Sequence, residues 1–143
     1  MIDRSLEKTA LQKEINSGHC HAALVINTRS RRAAACYLAV KSLLAKSKIK
    51  VNAAFPIDDP AKLIDTAGEL VAQGYKFVIV GGGDGTISSV VDHFAYARVL
   101  FGVIPLGTAN SFARTLGIPL NLSDAVDVLV NGKVADVDLG KIK

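Results

Sequence analysis

Hydrophobic positions along this chain switch between two periods. Ile2, Leu6, Leu11 and Ile15 recur at roughly helical spacing, so the first segment predicts an amphipathic helix closing at residues 16–18. The run HAALVIN at 21–27 is short, apolar and polar at its end, as a buried strand is. Over 32–45 the pattern turns helical, with Tyr37, Val40 and Leu44 on one face. KIKVNAAF at 48–55 alternates like a strand, and Pro56 with Asp58, Asp59 and Pro60 marks the turn into a helix over 61–73. YKFVIV at 75–80 reads as a third strand, TISSVVDHFA at 86–95 as a helix and RVLFGVIP at 98–105 as a fourth strand. A short helix over 108–117 is stopped by Gly117 and Pro119. A last helix over 123–130 takes Ser123 as its N-cap, and VADVDLG at 134–140 opens a further strand.

Strands alternating with helices predict βαβ units: an α/β fold with a doubly wound, mostly parallel sheet and helices on both faces, a Rossmann-like three-layer sandwich. Ligands of such sheets bind beyond the carboxyl ends of the strands. Length and composition agree. Half of the 143 residues are apolar, enough for one core without disulfides or metal, and the palette is Ala, Val, Leu and Ile with no Trp. Two cysteines, Cys20 and Cys36, make neither a disulfide framework nor a zinc pattern. His19, Cys20 and His21 are adjacent, but alternate strand residues face opposite ways, which argues against chelation by the trio. His93 reads as a surface or packing residue, and Phe94, Phe101 and Phe112 as core.

The N-terminus carries charges throughout rather than a signal-type apolar core, and no stretch approaches the length of a membrane span. The expectation is a cytoplasmic protein, peripheral at most to a membrane surface. Net charge is +4, with basic runs at Arg29, Arg31 and Arg32 and at Lys41, Lys46, Lys48 and Lys50. Without interleaved aromatics this argues against nucleic acid as the partner.

Three strand ends carry the candidate chemistry: Ile26 and Asn27 followed by TRSRR, GGGDGT at 81–86, and PLGTAN at 105–110. Glycines at 81, 82, 83 and 85 remove Cβ atoms, so the backbone is free to take positive φ and its N–H groups to approach a phosphate. The helix that follows aims its N-terminus at the same place. Asp84 beside phosphates is repulsive unless it holds Mg²⁺ or accepts hydrogen bonds. The bland alternative is a tight turn with Asp84 capping the helix. The stretch is neither a Walker A loop nor a dinucleotide fingerprint.

GGDGT at 82–86 resembles the signature shared by diacylglycerol kinases, sphingosine kinases, bacterial lipid kinases and, further off, NAD kinases and phosphofructokinases. FGVIPLGTANSFARTLGIP at 101–119 resembles the PxGTxNDFAR segment of the diacylglycerol kinase catalytic family, and Asn27 with Ser30 resembles its NPxSG loop. The resemblance spans about residues 22–139. It implies a 1–21 helical extension, a nucleotide-binding domain over 22–139, and the start of a β-rich second domain at 140–143. It further implies an ATP- and Mg²⁺-dependent kinase acting on a lipid with a free hydroxyl. In that reading Asn27 and Ser30 contact the nucleotide, and Gly81, Gly82, Gly83, Asp84, Gly85, Thr86 and Ser88 surround its phosphates. Gly107 and Thr108 complete the pocket, Asn110 supports the loop, and Asp84 acts near the phosphates and magnesium.

The chain departs from the family pattern at Thr28 and Arg31, where proline and glycine are usual. It also departs at Ser88 and Ser89 in place of Asn-Glu, at Ser111 in place of aspartate, and at Phe55 near a usual threonine. In the family a second domain supplies the lipid cleft, the general base and further magnesium ligands, so this segment is expected to bind nucleotide without turning over alone. Two other readings stand beside it: an NAD-kinase-like enzyme, which the glycine loop permits and the 101–119 segment opposes, and a nucleotide-binding module without catalysis.

Overall fold

The protein is described by a computed structural model covering residues 21–94 and 99–131, together with Lys13. The predicted N-terminal helix (apart from Lys13, which is helical), the strand at 134–140 and the second-domain start at 140–143 lie outside the described residues, as does the 1–21 extension but for Lys13 and His21, the latter being the first residue of β1. Within them the order is β1 (His21–Asn27), α1 (Arg31–Ala45), β2 (Lys50–Ile57), α2 (Pro60–Ala72), β3 (Phe77–Gly82), α3 (Asp84–Val90), a 3-10 turn (Val91–His93), β4 (Leu100–Pro105), α4 (Ser111–Thr115) and α5 (Leu122–Asn131).

The strands form a 4-stranded sheet in the order β2-β1-β3-β4, with every pairing parallel. Strand alternation sends one set of side chains to each face. Ala22, Leu24, Ile26, Phe77, Ile79 and Ile104 join Val40 and Leu44 of α1 and Val126 and Val130 of α5 in one core layer. Ala23, Val25, Val78, Val80 and Val103 join Leu63, Ala67 and Leu70 of α2 and Ile87, Val90 and Phe112 in the other. Both central strands are buried on both faces, which is why 77–80 is an unbroken apolar run. Phe94 and Phe101 stack at 4.5 Å between ring centroids, and Phe112 tilts against Phe101 at 6.1 Å, so these three rings pack together as the sequence suggests.

Several local expectations change. Pro56 lies inside β2 instead of ending it. Among the described residues β2 is bonded only to β1, and the Ile57 carbonyl accepts the Thr28 N–H at 3.0 Å, so Ile57 turns toward β1 and its neighbour Pro56 turns outward. No ladder bond is lost there, because an edge strand needs no N–H on its free side. Asp59 accepts the Ala61 N–H as N-cap of α2, with Pro60 in the first turn, where its missing N–H costs nothing. The cap of α5 is Asn121, whose Oδ1 accepts the Asp124 N–H at 3.2 Å, so α5 begins one residue before Ser123. His93 is exposed and lays its ring over Gly68 of α2, where an added Cβ would lie 2.9 Å from Cε1.

Candidate functional site at the strand switch point

The chain leaves β1 for β2 on one side and reaches β3 on the other, so the gap between the carboxyl ends of β1 and β3 is the sheet's topological switch point. A cavity of about 370 Å³ opens there, lined by Asn27, Arg29, Ser30, Ala33, Gly82, Gly83, Leu106 and Gly107. All three loops singled out in the sequence contribute to it.

The first wall is built by side chains. Asn27 ends β1; its Oδ1 accepts the Arg29 N–H at 2.9 Å, and its Nδ2 donates to Thr86 Oγ1 at 2.7 Å, tying this loop to α3. Ser30 is the N-cap of α1, its Oγ accepting the Ala33 N–H at 3.0 Å. Arg29, Arg31 and Arg32 are all exposed, and of the three only Arg29 lines the cavity.

The second wall is built by backbone. Gly82 and Gly83 leave β3 while Leu106 and Gly107 leave β4, and the Leu106 N–H donates to the Gly82 carbonyl at 2.9 Å, extending the pairing one step past the strands. A Cβ on Gly107 would lie 2.5 Å from Gly83 Cα, and one on Gly83 would lie 3.1 Å from Gly107 Cα. On Gly82 it would meet Thr86 Cβ at 2.7 Å, and on Gly81 the Ile26 side chain at 3.0 Å. Close approach therefore excludes a side chain at Gly82 and Gly107 and leaves little room for one at Gly81 and Gly83. The expected positive φ is not found: the described residues with positive φ are Gly74, Gly117 and Asn110, and Gly83 is extended at φ −91°, ψ −170°. Gly85, with open space around it, has no packing requirement.

The left-handed residue of the site is Asn110, at φ 53° and ψ 48°. Asparagine tolerates this region because its short amide can bond the local backbone. Here Oδ1 accepts the Gly107 N–H and Nδ2 donates to the Gly107 carbonyl, both at 2.9 Å, which closes loop 106–110 into a ring. The Arg114 Nε donates to the Ala109 carbonyl at 2.8 Å and holds the same loop from outside.

That use of Asn110 leaves α4 without a side-chain cap of its own. Asp84 takes the place: its Oδ1 accepts the Phe112 N–H at 3.2 Å across from the other loop. The backbone N–H groups of Ser111 and Phe112, with a smaller help from the Ser111 hydroxyl, hold the Asp84 carboxyl below its ordinary range against a weak opposing effect of burial. Asp84 does cap a helix, but it is α4 rather than the helix in which it sits.

Asn27, Ser30, Gly82, Gly83 and Gly107 thus face the cavity, while Gly81 is buried in β3 and Thr86 and Asn110 brace the loops. Gly85, Ser88 and Thr108 are exposed and lie outside the cavity lining. Of the basic run after β1 Arg29 joins the lining, and Ala33 and Leu106 are lining residues to which the sequence reading gives no role. Phe55, on β2, packs into the second core layer. Among the described residues no group of three His, Cys, Asp or Glu side chains converges as a metal cluster. No described helix is long and apolar enough to cross a membrane.

Sheet order, crevice position and glycine wall together define an open-sheet α/β domain with a cavity at its switch point. Residues 21–142 match the diacylglycerol kinase catalytic domain, and the chain belongs to that family. It is 39% identical over 98 residues to a probable lipid kinase YegS-like of Enterobacter sp. (strain 638), covering 66% of this chain and 32% of that protein. It is 44% identical over 72 residues to a diacylglycerol kinase of Staphylococcus carnosus (strain TM300), covering 49% and 24%. The fold superposes with TM-score 0.63 and 23% identity on a putative diacylglycerol kinase from Bacillus anthracis str. Sterne, covering 78% of this chain and 40% of that one. The chain spans about a third or less of the length of these two curated relatives.

Proposed function

We propose that this chain is the nucleotide-binding part of a lipid kinase of the diacylglycerol kinase type, holding ATP with Mg²⁺ for transfer of the γ-phosphoryl group to a lipid hydroxyl. The observation that carries this reading is the cavity at the switch point, whose second wall is bare backbone at Gly82, Gly83 and Gly107 and whose first wall adds Arg29. Backbone without Cβ lets a phosphate approach peptide dipoles closely, and a guanidinium adds a charge-assisted donor. The cavity lies within the usual size range of ligand pockets.

Transfer forms a bond from the lipid oxygen to the γ-phosphorus, breaks the bridging P–O bond and releases ADP, so the hydroxyl proton needs an acceptor. Asp84, with its carboxyl held low, is a weak base, and no cavity-lining residue carries a carboxylate. The chain's own work in this reading is to bind and orient the phosphates, and the base is assigned to a residue outside this cavity. Magnesium takes one or two carboxylates and completes its shell with phosphate and water oxygens; Asp84, next in sequence to the cavity-lining Gly83, is the carboxylate that would hold it, alongside its bonds to the start of α4. Magnesium would neutralise charge developing on the phosphates. The lipid acceptor implies a peripheral encounter with a membrane surface.

Calorimetric titration of the full chain with ATP and ADP, with and without Mg²⁺, tests the reading, alongside labelled-phosphate transfer to diacylglycerol in mixed micelles and to NAD. Magnesium-strengthened binding of ATP is expected. No binding of either nucleotide under either condition overturns it, and labelling of NAD instead of lipid transfers it to the NAD-kinase-like class.

A further inference from the structure

Loop 106–110 and the glycine loop are 24 residues apart in sequence but are joined by three contacts of different kinds. Gly83 and Gly107 approach backbone to backbone, with no room for a Cβ on Gly107 and only a tight fit for one on Gly83. The Leu106 N–H donates to the Gly82 carbonyl. Asp84 reaches across to the first N–H groups of α4, the helix into which loop 106–110 runs. Asn110 sits between the last two: it closes the ring on Gly107 with its amide and, being left-handed, turns the chain into α4 without capping it.

We propose that Asp84 is a positioning residue that latches loop 106–110 to the glycine loop, so that the two parts of the cavity's backbone wall order and loosen together. The Asp84 bond fixes the start of α4, the start of α4 fixes Asn110 in its unusual conformation, and Asn110 fixes Gly107, which lines the cavity. An N-cap in the ordinary position would stabilise α4 alone. A cap supplied from the neighbouring loop stabilises α4 only when the two loops are in register. This role uses the bonds that Asp84 already accepts from the start of α4 and calls for no metal ion.

The experiment compares Asp84→Ala and Asp84→Asn in the full chain by amide hydrogen exchange. The asparagine variant keeps an Oδ1 acceptor for the Phe112 N–H and loses the charge. The decisive amide is Gly107, whose partner is Asn110 and not Asp84. In Asp84→Ala, exchange of both Phe112 and Gly107 should speed by about tenfold or more, while the β1 amides stay protected. In Asp84→Asn both should remain within a few-fold of the parent. Acceleration confined to Phe112 makes Asp84 a local cap and overturns the latch, as does equal loosening in the asparagine variant. If the alanine variant fails to fold, Asn110→Ala in the parent is read the other way: the latch requires faster exchange at Phe112, and its absence overturns the proposal.

A second arm rests on the nucleotide reading: both variants lose the carboxylate's repulsion of phosphate, so the latch is read from their difference, and ATP affinity measured in EDTA should be roughly five- to tenfold lower in Asp84→Ala than in Asp84→Asn. Equal affinities in the two variants overturn the coupling of latch to cavity. A parent that binds no ATP removes the nucleotide reading and leaves the exchange result to decide the latch.

Discussion

The two walls of the cavity hold the same space by opposite means. Toward β1 the wall is made of polar side chains, Asn27, Arg29 and Ser30, spread along a loop with room around them. Toward β3 and β4 it is made of backbone, with Gly83 and Gly107 closer than any side chain permits. The first wall can change its chemistry residue by residue and keep its shape. The second can hardly change at all, because its shape is its chemistry: peptide groups presented without intervening carbon. Of the departures from the family pattern, Thr28 and Arg31 flank the first wall without lining it, Ser88, Ser89 and Ser111 follow the two loops of the second, and GGDGT itself is unaltered.

Substitutions at the two walls put that contrast at risk in order of size. Gly107→Ala forces a Cβ against Gly83 Cα, where neither backbone can yield, and should destabilise the chain by about 3 kcal/mol in urea titrations. A loss under about 0.5 kcal/mol there would mean the backbone wall is adaptable after all. Asn27→Ala removes the link to Thr86 and the turn bond from Arg29, and is expected to cost about 1 kcal/mol. Arg29→Ala should leave stability within about 0.5 kcal/mol, because its side chain is exposed, yet weaken ATP binding several-fold in a salt-dependent way. Gly85→Ala is the control within the glycine loop itself. Nothing lies within 4 Å of its would-be Cβ and it is helical, so melting should show no loss and a gain of up to about 0.5 kcal/mol.

Residues 21–27 and 77–80 were readable as buried strands because burial on both faces writes an apolar run into the sequence. The presence of Pro56 within a strand was not readable, since it depends on β2 lying at the edge of the sheet, which strand order decides and local pattern does not. The same limit applies at the site. That GGGDGT and PLGTAN face one cavity followed from the fold class, but why the glycines are needed did not. A φ requirement belongs to a single residue and can be guessed from it, whereas the Gly83–Gly107 contact belongs to a pair of loops. Asp84 shows the point again: its carboxylate was expected at its own helix or at a metal, and the acceptor it provides serves α4, 28 residues on at Phe112. Ala33 and Leu106 escaped notice because small and apolar lining residues carry no chemical signature.

Pro56 also bears on how copies of this domain meet one another. An unpaired parallel strand is a template on which a second chain can add its own strand, and among the described residues β2 presents such a border on the side away from β1. The proline ring stands there in place of a donor, and the register shift between Ala22 and Ala23 that leaves Asn52 unmatched bends the same strand at its other end. With Lys50 exposed at its start, the border is uneven in shape and charged. Such a border gives an incoming strand few bonding partners, and concentrated solutions of this domain should resist fibrous association through that edge.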